Sequence, residues 1–583
     1  GPATVVQAIG AGRRAAEAID SFLTVGYVKE KNTNYNCSRG TLEDLPKWEF
    51  EEMPRIPRAP MPSLPVAQRI KNFTEVETGI SEDFAKTEAG RCLKCGCTER
   101  FDCSLRKEAR RCGISYAKPI HKRPRFLIDD HHPFIIRDDN KCIACGRCIS
   151  ACAEIEGVDV LAYRLTNGRQ VVGTRSGRPL WETDCVSCGQ CVNACPCGAL
   201  DYRREKGKVF RAINDPNKVV VGFVAPAVRS VISSQLGITP PEASAYLAGL
   251  LKALGFDKVF DFSFAADLTV VEETTEFLTR VEKKGVMPQF TSCCPGWVNF
   301  VERRYPQLIP HLSSCKSPQQ MMGATVKNHF AQWAKIAREK LFVVSIVPCL
   351  AKKQEAARPE FAPGGIRDVD AVLTTMEMLE MLKLIRFDTK DVKPAEFDAP
   401  YKTVSSAGVL FGASGGVAEA ALRMAVEKIT GKPLAAQPQN GQQGLVFEAV
   451  RGFEGVKEAV VKTDKATLKV AVVSSLKNAE PIIQKIIKGE DTGYDLIEVM
   501  ACPGGCICGA GHPVPEKMNT LEKRQNVLVD IDNSAALRKS HENPDIMRLY
   551  EEFYKKPNSH LAHELLHTHY KPFERKTAAN NAN

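Results

Sequence analysis

Twenty-two cysteines among 583 residues carry most of the chemistry visible in this sequence. They fall in tight groups: Cys92, Cys95, Cys97, Cys103 and Cys112; Cys142, Cys145, Cys148 and Cys152; Cys185, Cys188, Cys191, Cys195 and Cys197; Cys293 and Cys294; Cys349; and Cys502, Cys506 and Cys508. Cys37 and Cys315 stand apart. No charged n-region with an apolar h-region opens the sequence, so a cytoplasmic protein is expected, and cytosolic thiols are kept reduced. Disulfides are therefore not the expected use. Thiolates two residues apart on one loop grip a metal, and all-sulfur sets suit zinc or iron–sulfur clusters.

Two of the groups repeat one spacing. The first reads C-I-A-C-G-R-C-I-S-A-C from Cys142 to Cys152, the second C-V-S-C-G-Q-C-V-N-A-C-P from Cys185 to Pro196. Both are C-x2-C-x2-C-x3-C, which resembles the two-cluster bacterial ferredoxins, where the fourth cysteine serves the other cluster. Three thiolates on a tight loop reach three corners of a cubane, and the fourth corner must be held from elsewhere. This assigns Cys142, Cys145, Cys148 and Cys195 to one 4Fe–4S cluster. Cys185, Cys188, Cys191 and Cys152 go to the other. Structural zinc is the competing use, but zinc knuckles seldom repeat the full spacing. Ala153 stands where proline is usual, and Cys197 is an extra thiol outside the ligand sets. Adjacent clusters carry electrons and make no bonds. They imply a redox partner at one end and a catalytic centre at the other.

The elements around these residues follow from composition and pattern. Apolar residues make up 44% and charged residues 25%, which excludes a disordered or fibrous chain. The longest apolar stretch, Val219–Val228, is about ten residues and is broken by Gly222 and Pro226, whereas a membrane span needs about twenty. The net charge of +10 is not clustered, so neither a nucleic-acid partner nor a membrane span is expected. At about 100–200 residues per domain, several domains are expected. Residues 4–24 show helical apolar spacing, and 43–80 are rich in proline and mixed charge. From about 217, short Val/Ile/Phe-rich runs at 219–226, 287–293, 342–349, 468–474 and 495–502 alternate with helical stretches such as 243–254 and 376–385. That alternation predicts an α/β region with buried parallel strands. The tail, 531–573, reads as helices.

Three of those runs end in cysteine: T-S-C-C-P-G-W (291–297), V-P-C-L-A-K-K-Q-E (347–355) and E-V-M-A-C-P-G-G-C-I-C-G-A-G (498–511). Loops past the carboxyl ends of parallel strands are where α/β folds build sites. Three converging there would line one sulfur-rich cavity. These segments resemble the three signature motifs of the iron-only (FeFe) hydrogenases, in the family's order, and the likeness covers about 131–575. It implies an H-cluster, a 4Fe–4S cubane joined through one thiolate to a di-iron unit bearing CO, cyanide and azadithiolate. Motif for motif, Cys294, Cys349, Cys502 and Cys506 would hold the cubane, with Cys506 bridging. Cys293 would be the proton donor beside the azadithiolate. The family's proton chain, from the site Cys through Glu, Ser and Glu to a surface Arg, would fall on Cys293, Glu276, Ser313, Glu273 and Arg280. Lys352 would donate to a cyanide, with Glu355 as its salt-bridge neighbour. Ala225, Pro226, Ser317, Gln319 and Met500 would line the cavity. Val347 and Ala510 depart from the usual motif residues, and Cys315 and Cys508 are added thiols.

The resemblance implies a two-lobed catalytic domain with parallel sheets over 215–515, preceded by an α+β ferredoxin-like domain over 131–205. A small-subunit-like helical tail follows at 516–583. Residues 1–90 resemble the end of flavin-dependent oxidoreductases of the glutamate-synthase small-subunit type, without their Gly-rich nucleotide loop. The Cys-rich segment 91–130 reads as a third 4Fe–4S site on Cys92, Cys95, Cys97 and Cys103, with zinc, or Cys112 in place of one ligand, as the alternatives. The expected reaction is 2H⁺ + 2e⁻ ⇌ H₂. Expected partners are ferredoxin or a flavin-containing NAD(P)H oxidoreductase, with hydrogenase maturation proteins to build the di-iron unit. An H₂ sensor of the same fold is the alternative. Sensors usually lack the donor Cys, and Cys293 is present.

Overall fold

The computed structural model describes residues 4–26, 28, 55–92, 108–109, 111–112, 126, 128–385, 387–435, 444–514 and 519–574. Cys37, Cys95, Cys97 and Cys103 lie outside them, and with them most of the expected third cluster site. The chain divides into two compact units, Gly1–Pro124 and Arg125–Asn583.

In the first unit the expected amphipathic helix forms over Val5–Val25. Thr4 accepts from the Gln7 N–H while the Gln7 side chain returns to the Thr4 N–H, a reciprocal cap for two orphan donors. A second helix, Glu82–Gly90, is capped by Ser81, and Cys92 just beyond it is exposed.

The second unit begins with two short antiparallel pairings. Strand β1 (Ile135–Arg137) pairs with β4 (Leu200–Tyr202), and β2 (Leu161–Thr166) forms a hairpin with β3 (Arg169–Thr174). The hairpin turns on Asn167-Gly168, both at positive φ, as a two-residue turn requires. The two cysteine loops repeat one backbone shape. Ala144 and Gly146 in the first, and Ser187 and Gly189 in the second, are all left-handed. The helix starts Arg147–Ser150 and Gln190–Ala194 follow them.

Two four-stranded sheets make the larger part. One has the order β6 (Lys258–Asp261), β5 (Val219–Val224), β8 (Leu341–Val347), β9 (Ala371–Thr374), all parallel. The other has the order β10 (Val456–Lys462), β11 (Thr467–Ser474), β12 (Leu496–Met500), β7 (Gln289–Phe290). Here β11, β12 and β7 are parallel, while β10 joins antiparallel at the edge. The five expected strand runs are all present. β5, β8 and β12 are buried along almost their whole length, which is why they read as near-continuous apolar runs, interrupted only by Ser345 in β8 and Glu498 in β12.

The tail folds onto the rest of the second unit through buried polar groups. Asp532, on the helix Thr520–Ser534, is held by Arg423, Arg451 and Arg538. Asp267 takes the hydroxyls of Ser405 and Ser540 and the amide of Asn543. No helix among the described residues is long and apolar enough to cross a membrane.

Candidate active site

Four strands deliver the site. β5 ends at Ala225-Pro226, β7 runs into Cys293-Cys294, β8 into Pro348-Cys349, and β12 into Met500 and the loop with Cys502 and Cys506. All of these line a single cavity, in which one charged side chain, Lys352, meets an otherwise apolar wall. The helices Pro226–Leu236, Pro295–Arg304 and Pro318–Thr325 each start at that wall with proline. Proline at a first helical position has no N–H to leave unsatisfied, so each helix start presents one fewer orphan donor to the dry space. Gly505, at φ +87°, lies against the Ser414 backbone, where an added Cβ would come within 2.5 Å of the Ser414 nitrogen.

The cavity's sulfurs receive donors. The Ala501 N–H reaches Cys294 Sγ at 3.4 Å, and Gln190 Nε2 reaches Cys502 Sγ at 3.2 Å. Burial pushes the thiols of Cys294, Cys349, Cys502 and Cys506 up, so a metal must displace their protons. Gln190 lies next to Cys191, so this contact joins a ferredoxin-type loop to the cavity. Its type and position gave no sign of that in the sequence.

Lys352 Nζ donates to the Cys293 carbonyl at 3.1 Å and to Glu355 Oε2 at 3.0 Å. Ser317 Oγ and Gln319 Nε2 donate to the same carboxylate at 2.9 and 3.1 Å. Ser317 and Gln319 were expected in the wall. Instead they stand one layer behind it and hold Glu355, while Pro318 between them reaches the cavity. Val347 does line the wall. Ala510 is buried against Tyr202 and Leu350. Cys508 is not among the lining residues. Cys315 turns toward Glu276 and His567.

The acids lie in the reverse of the expected order. Glu273 is the inner one: fully buried, it accepts the Ser292 N–H at 3.2 Å, one residue from Cys293. Glu276 is the outer one, paired with Arg280 at 2.6 Å. Ser313 Oγ donates to Glu276 Oε2 at 3.0 Å and lies close enough to Glu273 to lower its carboxyl, so it stands between the two acids. Burial, helped by the Glu276 charge, pushes the Glu273 carboxyl up to about 8. Burial and then Glu273 raise the Cys293 thiol well above its ordinary value. Both groups therefore hold protons at neutral pH.

The ferredoxin-like cysteines fall into two groups. Cys142, Cys145, Cys148 and Cys195 line one cavity, and Cys152, Cys185, Cys188 and Cys191 line another. Cys197 shares the first, with its sulfur 3.8 Å from that of Cys195. Sequence reasoning missed Glu156. It is fully buried in the second cavity's wall, with neither carboxylate oxygen hydrogen-bonded, and burial lifts it to about 8.

With this geometry, comparison with known proteins is decisive. The model for the iron-only hydrogenase large subunit, C-terminal domain, matches residues 218–510. This chain belongs to the iron-only hydrogenase family. The iron hydrogenase small subunit model matches 518–572, and a 4Fe-4S dicluster domain matches 141–199. The NADP-reducing hydrogenase subunit HndD of Solidesulfovibrio fructosivorans is 43% identical over 482 residues, 81% of this chain and 81% of that one. Iron hydrogenase 1 of Clostridium pasteurianum is 37% identical over 487 residues, 82% of this chain and 83% of that one. A solved apo [FeFe]-hydrogenase HydA1 from Chlamydomonas reinhardtii, a variant form, superposes with TM-score 0.55 at 40% identity, covering 62% of this chain and 98% of that one. The hydrogenase therefore catalyses 2H⁺ + 2e⁻ ⇌ H₂ and uses an H-cluster with 4Fe–4S clusters. Its cavity suits that cofactor. The donor set is all thiol, N–H groups point at two of the sulfurs, and no carboxylate lies in the wall to compete for iron.

Proposed function

We propose that Cys294, Cys349, Cys502 and Cys506 hold the cubane of the H-cluster, and that Cys293 is the proton donor at its di-iron unit. The observation that carries this is the single apolar cavity holding all five thiols and one cation, Lys352. When bound, the H-cluster would supply the redox-active metal at which electrons arriving from the relay clusters meet protons.

The protein's own part is to move protons, exclude water and orient the cofactor. A proton taken up at Glu276 passes through the Ser313 hydroxyl to Glu273, and from there to the Cys293 thiol. Burial raises the Glu273 carboxyl and the Cys293 thiol, so both hold a proton to pass on near neutral pH. Arg280 keeps its charge throughout and fixes the Glu276 carboxylate. The Lys352 ammonium, set by Glu355 and the Cys293 carbonyl, offers its remaining proton to a cofactor ligand.

Electrons cross the two ferredoxin-like clusters. Exchange with a flavin-containing NAD(P)H oxidoreductase subunit or with ferredoxin is the proposed outer step, since a relative of 43% identity is named an NADP-reducing hydrogenase subunit. The di-iron unit is to be supplied by maturation proteins, and the cytoplasm is the proposed compartment. Hydrogen evolution from reduced dye, on protein matured with the di-iron unit, tests the reading. Sustained turnover is expected. An intact metal–CO infrared spectrum without turnover would instead identify a sensor.

A further inference from the structure

Cys315 and His567 have no task in this scheme, yet both face Glu276. Cys315 Sγ is 3.8 Å from Glu276 Oε2 and 3.9 Å from His567 Nδ1, and the three ligand atoms lie within 4.8 Å of one another. We propose that Glu276, Cys315 and His567 form a capture site for one zinc-class divalent cation, whose binding interrupts proton delivery.

The donor spacing fits the ion. Zinc takes thiolate sulfur at about 2.3 Å, imidazole nitrogen at about 2.0–2.1 Å and carboxylate oxygen at about 2.0–2.2 Å, so tetrahedral donors sit about 3.5 Å apart. The two contacts of Cys315, at 3.8 and 3.9 Å, need to close by only a few tenths of an ångström, and the Glu276 and His567 ligand atoms lie within 4.8 Å of each other. Sulfur and imidazole donors select zinc over magnesium or calcium.

A second observation points the same way. His567 Nε2 is 3.1 Å from Glu272 Oε2, and Glu272 is itself fixed by the Tyr550 hydroxyl at 2.5 Å and the Asn558 N–H at 2.8 Å. A carboxylate behind a histidine is how metal-ligating imidazoles are oriented, and here it leaves Nδ1 as the coordinating nitrogen. The backbone frame is also in place. Cys315 and His567 face each other across a β-bridge, with the Lys316 N–H on the Leu566 carbonyl and the Thr568 N–H on the Ser314 carbonyl, both at 2.8 Å.

The balance is simple. The cation displaces the Cys315 proton to solvent, and thiolate plus carboxylate neutralise its two charges. Ser314 Oγ, now 2.8 Å from His567 Nδ1 and 3.1 Å from Glu276 Oε2, gives up both contacts. Arg280 holds Oε1, so Oε2 is the oxygen available to the ion. Oε2 is also the atom that receives the Ser313 hydroxyl, and ligation removes it from the proton path. This consequence rests on the proton path proposed above, whereas the binding itself does not.

The test is a chelator-buffered zinc titration of the matured holoenzyme, following bound zinc, H₂ evolution and the metal–CO infrared bands together. Wild type should bind one zinc that Cys315→Ser and His567→Gln each hold about 10-fold or more weakly. Inhibition, read against each variant's own metal-free rate, should weaken in step, and a chelator should restore the wild-type rate. Zinc K-edge absorption should show one sulfur at about 2.3 Å with nitrogen and oxygen donors. Unchanged zinc affinity in both variants, several sulfurs around the zinc, or loss of the infrared bands on zinc addition would overturn the site. Zinc bound as expected but without inhibition would uphold the site and overturn the proton path.

Discussion

The Glu273 carboxylate accepts the Ser292 backbone N–H at 3.2 Å, which anchors the inner acid of the proposed proton path one residue from the Cys293 thiol. Strand end and acid are thereby held in one frame. Ser313 stands between Glu273 and Glu276, so the two acids need not approach each other to exchange a proton.

Glu273→Gln keeps the shape and removes the exchangeable proton. Turnover should fall by about 10²–10⁴-fold while iron content and the metal–CO bands persist. Equal activity in both proteins would remove Glu273 from the path.

The same carboxyl makes a pH prediction. Its native value of about 8 lies above the ordinary 4.5, so between those limits the native state holds a proton that the unfolded chain has lost. Stability from this group is full below pH 4.5 and declines as pH rises through 8. Chemical denaturation across that range should show a component of the slope that Glu273→Gln abolishes. A carboxylic acid C=O infrared band with a midpoint near 8, absent from the variant, is the direct sign.

Much of the scaffold was legible in the sequence. β5 and β8 read clearly because burial on both faces leaves them apolar but for Ser345. β10 did not, because it alternates exposed Val456 and Val460 with buried Lys457, whose ammonium bonds the carbonyls of Ser414 and Gly452. The β2–β3 hairpin was announced only by Asn167-Gly168. At the site, cysteine spacing and strand-end position carried the ligands. The order of Glu273 and Glu276 was hidden, because residues three apart share one helix face and only the placement of β7 decides which is inner. Ser317, Gln319 and His567 act through contacts distant in sequence, which no local pattern encodes.

Asp532 ties the tail to the catalytic unit. Arg423 approaches it at 2.9 Å, Arg538 at 2.6 Å and Arg451 at 3.1 Å. Burial opposes its charge, yet Arg423 and Arg538 hold the carboxyl far below its usual range. Its stabilisation is therefore present above pH 4 and lost as pH falls through the native value. Asp532→Ala leaves buried guanidinium groups unpaired and should cost about 3–5 kcal/mol, seen as a lower midpoint in denaturant. A change within error would mean the network contributes nothing net.

Gln190 donates to the Cys502 sulfur, and such donors favour the reduced, more negative form of a cluster. Gln190→Leu should lower the potential of the H-cluster's cubane in a spectroelectrochemical titration. An unchanged potential would mean the amide only packs.

Cys293, alone among the cavity's five thiols, is proposed to move a proton and hold no iron. The decisive measurement is infrared spectroscopy and H₂ evolution on one matured sample of Cys293→Ala. Metal–CO and cyanide bands of wild-type intensity with turnover nearly abolished are expected. Loss of those bands together with cubane iron, or turnover at the wild-type rate, would contradict it.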